Sequence, residues 1–217
     1  MRCLPYVRRL PCHHRGPVAA RRSFEVLAAQ GLSFDLQANP HQLAPFAAFL
    51  SGRAVDAAVP NIIVNHLGSP RLGRGAAEDA VVLADWRKGM TALAAHPTVF
   101  VKLSMLDFVR KVRIARRGRW LDWRESEWRW ASFPPLLQEW RTDEAAKAEV
   151  TALVLEVIAL FGSERCMFAS NFPVERSSGW EFTELYRAFA SIARDVSPGD
   201  QEWLFAKSAA KAYGLAL

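Results

Sequence analysis

Histidine 66 is the residue in this chain best suited to chemistry. It ends the run NIIVNH (residues 61–66), where three apolar β-branched residues give way to Leu67-Gly68, so its ring stands where a buried strand meets a turn. A neutral imidazole there can bind a metal, hold a water or orient a substrate carbonyl, or it can simply be satisfied by a nearby backbone group. Three other runs deliver polar groups in the same way. LSFDLQ (32–37) carries Asp35 and Gln37, VFVKLS (99–104) carries Lys102 and Ser104, and CMFASN (166–171) carries Ser170 and Asn171. Residues two apart share a strand face, so Lys102 and Ser104 project together, as do Asp35 and Gln37. An inward Lys102 can pair with Asp35 or grip a substrate carboxylate, and a buried charge needs such a partner. His41, in NPHQL after the first run, is expected to contact substrate from a loop.

These runs need elements to hold them. All four are apolar, rich in β-branched or aromatic residues and bounded by turn signals, which reads as buried strands. Each follows a helical stretch: residues 23–30 stopped by Gly31, 42–54 stopped before Pro60, 78–95 stopped by His96-Pro97, and 144–160 stopped by Gly162. Two more helices, over 181–194 and 198–213, close the chain. Alternating strands and helices imply parallel pairing and an α/β fold. Four strands with polar C-terminal ends suggest one shared pocket, because active-site groups collect at that end of a (β/α)8 barrel. A whole barrel needs eight strands and typically ~250 residues, so four units read as half of one.

Composition narrows the classes further. The 217 residues are 51% hydrophobic and 23% charged, which suits one packed domain. The net charge of +6 has a local origin. Six arginines and no acid lie within residues 1–24, and without those six the remaining Lys and Arg balance the 22 acids. Residues 1–22 are therefore expected to form a basic, irregular segment. They lack the apolar core of a secretory signal, and Pro5, Pro11 and Pro17 interrupt the helix of a transit peptide. Three scattered cysteines make no disulfide framework and fit a reducing cytoplasm. The longest apolar stretch, 150–161, is too short for a membrane span of about 20 residues.

Four segments taken in order resemble the C-terminal half of the amidohydrolase-2 family. They are GLSFDLQANPHQL (31–43), NIIVNHLGSP (61–70), WRKGM with HPTVFVKLS (86–104) and FGSERCMFASNFPVER (162–176). The ending LFAKSAAKAYGL is similar to that family's last helix. The family comprises TIM-barrel, often metal-dependent hydrolases related to 2-pyrone-4,6-dicarboxylate lactonase and L-fuconolactonase. The resemblance implies that the four strands are the fifth to eighth of a barrel over residues 23–217, a partial (β/α)8 TIM barrel. It implies that His66 ends the sixth strand, as a catalytic group and candidate metal ligand, and that a divalent Zn or Mn is the cofactor.

Asn171 stands at the eighth-strand position often held by a catalytic aspartate. An amide lacks the basicity of a carboxylate but offers an acceptor and a donor, so Asn171 is expected to position water or a substrate carbonyl. The family's His-x-His pair after its first strand has no counterpart here. His13-His14 is no substitute, since adjacent side chains of an extended segment point to opposite faces.

Residues 106–142 form an insertion after the third run. Within it, 108–130 holds eight Lys or Arg and three acids, and Trp120, Trp123, Trp128, Trp130 and Trp140 are five of the eight tryptophans. The place after a barrel strand suggests a helical lid over the pocket, with aromatic walls and arginines suited to a ring-shaped, acidic substrate.

The expected function is hydrolysis of a lactone or small cyclic ester, with Asp35, Gln37, His41, Lys102 and Ser104 binding substrate and His66 and Asn171 catalytic. A truncated, inactive fragment of such an enzyme is one alternative, and pairing of two half-barrels into a homodimer is another form it could take. A single-stranded nucleic-acid-binding protein using the Arg/Trp insertion is the reading from a different class. The near-neutral body of the chain disfavours it.

Overall fold

The computed structural model describes residues 17–52, 59–110, 115–116, 119–120, 140, 143–177 and 179–217. Its centre is a four-stranded parallel sheet in the order β1-β2-β3-β6, where β1 is Phe34–Leu36, β2 Ile62–Val64, β3 Val99–Leu103 and β6 Cys166–Phe168. The register aligns Asp35 with Ile63, Ile63 with Phe100, and Lys102 with Met167. Parallel neighbours require crossovers. These are supplied by α2 (Pro40–Ser51), α3 (Ala76–Ala94) and α4 (Glu144–Phe161), with α1 (Pro17–Ala29) leading into β1. The architecture is α/β, a partial TIM-barrel-like arrangement.

Strand alternation divides the core in two. Ile62, Val64, Val101, Leu103, Cys166 and Phe168 face the helices and pack with Leu43, Trp86, Met90, Leu93, Val154 and Val157. The alternate residues Ile63, Phe100 and Met167 face the other way and meet Ala209 and Ala212. Those alanines lie in α8 (Ser208–Tyr213), which follows α7 (Pro198–Glu202) through a π-helical turn at Trp203–Lys207. A bidentate pair, Arg87 to Glu156 at 2.7 and 3.0 Å, ties α3 to α4.

Several boundaries differ from the sequence reading for local reasons. The first helix starts at Pro17 rather than residue 23, because proline at the first helical position forfeits only an amide that would be unpaired anyway. The second ends at Ser51, where the Gly52 amide bonds to the Ala48 carbonyl. The strands are shorter than expected, so Gln37, His66, Ser104 and Asn171 stand beyond the ladder, while Asp35 and Lys102 remain within it. The last helix is interrupted rather than continuous. After Asp143 caps α4 by accepting from the Ala145 and Ala146 amides, that helix runs to Gly162 (φ 79°) as anticipated.

Of the lid insertion, the described residues include a short helical turn at Leu106–Phe108, a two-stranded antiparallel pair (β4, Ala115–Arg116; β5, Arg119–Trp120) and Trp140. Trp123, Trp128, Trp130, His13, His14 and most of the basic start lie outside the described residues. No described helix is long and apolar enough to cross a membrane.

Candidate functional site

The turn after β2 is held in an uncommon backbone conformation. His66, Leu67 and Ser69 have φ of 55°, 54° and 56°, and Gly68 has φ of 71°. Left-handed conformations of non-glycine residues cost about 1–3 kcal/mol each and persist only where the surroundings over-determine them. Here α2 and α3 do so. The buried Trp86 indole donates to the Leu67 carbonyl at 2.7 Å. Gly68 packs so closely that a Cβ would stand 2.8 Å from Met90 Sδ and 3.2 Å from Leu43 Cδ1. Met105 (φ 56°) and Asn171 (φ 53°) follow β3 and β6, so every described non-glycine residue with positive φ lies just past a strand's C-terminal end.

The pinned turn sets His66 Nδ1 3.0 Å from Ser104 Oγ, across from β2 to the end of β3. Burial, then the charges of Lys102 and Arg71, lower the His66 pKa to about 4, against an opposing pull from Asp35. The ring is neutral at physiological pH. If Nδ1 accepts from the buried serine hydroxyl, Nε2 carries the proton and becomes a donor. Lys102 reaches over β2 to Asp35 Oδ2 at 2.5 Å, one of the two pairings expected of an inward lysine. Tyr213, from the far end of the chain, donates to Asp35 Oδ1 at 2.7 Å, and Lys102 Nζ stands 5.5 Å from its ring centre. Burial works against the Lys102 ammonium, but hydrogen bonds with Asp35 and Tyr213 outweigh it and hold the pKa above the ordinary lysine value. Gln37 Nε2 donates to Ser69 Oγ at 3.1 Å, linking the β1 end to the same turn. His41 stands exposed on the first turn of α2, and no hydrogen bond among the described residues ties it to this cluster.

Beyond β6, Asn171 Nδ2 donates to Glu175 Oε1 at 3.3 Å. Glu175 is 2% exposed. Its carboxyl is pushed up to about 7 by burial and then by the charge of Asp107, against the hydrogen bond from Asn171. Asp107, also buried, accepts from the Trp180 indole. Trp180 packs at a tilt against Trp140, ring centres 5.1 Å apart. Trp140, counted in sequence among the aromatics of the insertion, is thus a buried core residue. Because β2 and β6 both pair with β3, the two strands that lead into the His66 and Asn171 turns lie two strand spacings apart, about 10 Å.

Sequence reasoning missed Glu175, Asp107, Ser69 and Tyr213. The four-residue spacing from Asn171 to Glu175, across a turn entering a short helix, was a usable signal. Nothing local marked Tyr213, which meets Asp35 from 178 positions away.

A parallel half-sheet with polar turns at one end recurs in known proteins. The sequence model of a family described as amidohydrolase matches residues 7–215. The chain belongs to the amidohydrolase family. A relative from Sinorhizobium fredii (strain NBRC 101917 / NGR234), the uncharacterized protein y4mH, is 31% identical over 193 residues, 89% of this chain and 50% of the relative. A zinc-bound amidohydrolase from Burkholderia multivorans superposes with a TM-score of 0.66 at 23% identity, over 90% of this chain and 57% of that one. A Pseudomonas putida protein provisionally named 2-pyrone-4,6-dicarboxylic acid hydrolase gives a TM-score of 0.60 at 18% identity, over 91% and 57%. At such identities the superpositions speak for the fold. This amidohydrolase spans about half the length of the relatives it matches.

The divalent metal implied by the resemblance can be tested against the donors this amidohydrolase presents. A catalytic zinc needs about three protein ligands and an open position. Among the described residues no group of three or more His, Cys, Asp or Glu is arranged to hold a metal ion. His66 sits in the field of Lys102 and Arg71, which opposes a second cation. The described residues do not fit a metal.

Proposed function

We propose that this amidohydrolase hydrolyses a lactone or small cyclic ester bearing carboxylates. The observation that carries the reading is the neutral His66, fixed by Ser104 beside the cations Lys102 and Arg71 at the C-terminal edge of a parallel sheet. A neutral imidazole donating from Nε2 can polarise an ester carbonyl without a proton transfer of its own, since its pKa near 4 makes it a weak base. The Lys102 ammonium beside it suits an anionic substrate, whose carboxylate would compete with Asp35 for it. Asn171 supplies an amide that orients the attacking water or the carbonyl. The names of the structural neighbours, among them pyrone-dicarboxylate hydrolases, support a cyclic ester with carboxylates as the first substrate class to try.

The test is hydrolysis of a panel of lactones by the purified chain, including 2-pyrone-4,6-dicarboxylate, with and without added Zn²⁺ or Mn²⁺. The expected result is turnover that His66→Ala lowers by about 100-fold or more, the scale of a lost polarising group. Absence of turnover under every condition refutes the enzymatic reading.

A further inference from the structure

Position 171 is an amide, and His66 is too weakly basic to deprotonate water, so the reaction proposed above lacks a proton acceptor. One described carboxylate stands where that acceptor is needed. Glu175 Oε1 accepts from Asn171 Nδ2 at 3.3 Å, so the Glu175 carboxyl adjoins the amide to which the reaction above assigns the attacking water. Its second oxygen, Oε2, is buried and has no hydrogen-bond partner among the described residues. A buried carboxylate oxygen without a donor is costly, and a reactive role is one of the few reasons for a fold to keep one. The glutamate is held in place by its neighbours: Trp180 and Asp107 wall it on the β3 side, and the Trp180 amide bonds to the Glu175 carbonyl at 3.2 Å.

We propose that Glu175 is a catalytic residue of this site, the proton acceptor for the attacking water, in the role that the amide at position 171 cannot fill. The inference rests on the hydrolase reading above. The water oxygen bonds to the ester carbonyl carbon while one of its protons passes to the Glu175 carboxylate. The tetrahedral intermediate then collapses, the ring C–O bond breaks, and the leaving oxygen takes the proton back from the Glu175 carboxyl. Asn171 orients the water, and Asp107, by its charge, keeps Glu175 ready to hold a proton near neutral pH.

The charged groups around Glu175 leave a clear pH window. Asp107 faces it from the turn after β3, and on its own helix Arg176 turns outward to Glu181 at 3.1 Å. His66 titrates near 4 and Lys102 above the ordinary lysine value, both far from neutrality. The wild-type kcat/KM should therefore rise with pH through an ionisation near 7. In Glu175→Gln, kcat should fall by about 100-fold or more with KM changed less than about threefold, the rising limb should vanish, and the melting curve should stay cooperative. Adding Asn171→Asp to that variant should restore part of kcat, with the limb moved to lower pH.

A wild-type profile flat between about pH 5.5 and 8.5 overturns the proposal without any variant. So does a Glu175→Gln enzyme within about threefold of wild-type kcat. If the wild-type chain hydrolyses no lactone at all, the hydrolase reading itself falls, and this inference with it; an active enzyme indifferent to position 175 sinks this inference alone.

Discussion

Replacing Trp86 with phenylalanine should damage the site without touching it. The indole donates to the Leu67 carbonyl inside a turn whose His66, Leu67 and Ser69 are all left-handed. Phenylalanine keeps most of the ring volume in α3 but removes the donor, leaving a buried carbonyl without its partner. That loss costs about 1–3 kcal/mol, and the smaller ring adds about 1 kcal/mol of imperfect packing. The sum, about 2–4 kcal/mol, is a large part of the 5–15 kcal/mol typical of a whole domain. For a chain of this size it should lower Tm by about 5–15 °C.

The same change should reach His66. Without the indole anchor the turn can relax out of its strained conformation, which would separate the imidazole from Ser104 and let water reach it. Urea unfolding followed by circular dichroism measures the first effect. The NMR titration of the His66 ring, assigned by its loss in His66→Gln, measures the second: the pKa should climb from about 4 toward the ordinary 6.5. A Tm within about 1 °C of wild type together with an unmoved His66 titration would refute the claim that α3 sets the geometry of this turn.

Further outcomes follow from the same contacts. The folded state holds His66 at a pKa well below its unfolded value of 6.5, so its contribution to stability is complete above pH 6.5 and is lost as pH falls toward 4. Unfolding free energies measured between those limits should show a slope that His66→Gln reduces, and an unchanged slope would contradict the burial argument. Glu175 has the opposite sign: its folded pKa of about 7 lies above the unfolded 4.5, so stability is lost as pH rises through 7, and Glu175→Gln should be the more stable protein at pH 8 by urea midpoint. Gly68→Ala places a methyl 2.8 Å from Met90 Sδ at a φ of 71°, and should cost about 2 kcal/mol in denaturant unfolding, whereas a neutral result would mean that the turn is free to move.

Much of the framework was legible because its signals are local. The runs NIIV and VFV, with glycine or proline punctuation, mark β2 and β3 by composition alone, and the helices between them dictate parallel pairing. A pairing of Lys102 with Asp35 was anticipated because a buried charge needs a partner, and the salt bridge forms. What local signals could not show is which polar ends meet. His66 found Ser104 and Gln37 found Ser69 because β1, β2 and β3 are adjacent in the sheet, a fact of strand order. Trp140 read as part of an aromatic, cationic surface, yet its burial against Trp180 is a property of packing.

The amino-acid sequence by itself determined the alternation of elements, the family and the chemical types gathered at the strand ends, since each of these is written in neighbouring residues. Tertiary structure alone decided the protonation of those groups. Desolvation and the field of distant charges depend on the whole folded surround, and so a histidine with an ordinary pKa in the unfolded chain became a neutral imidazole. By the same cause an unremarked glutamate became a carboxyl that exchanges a proton near pH 7.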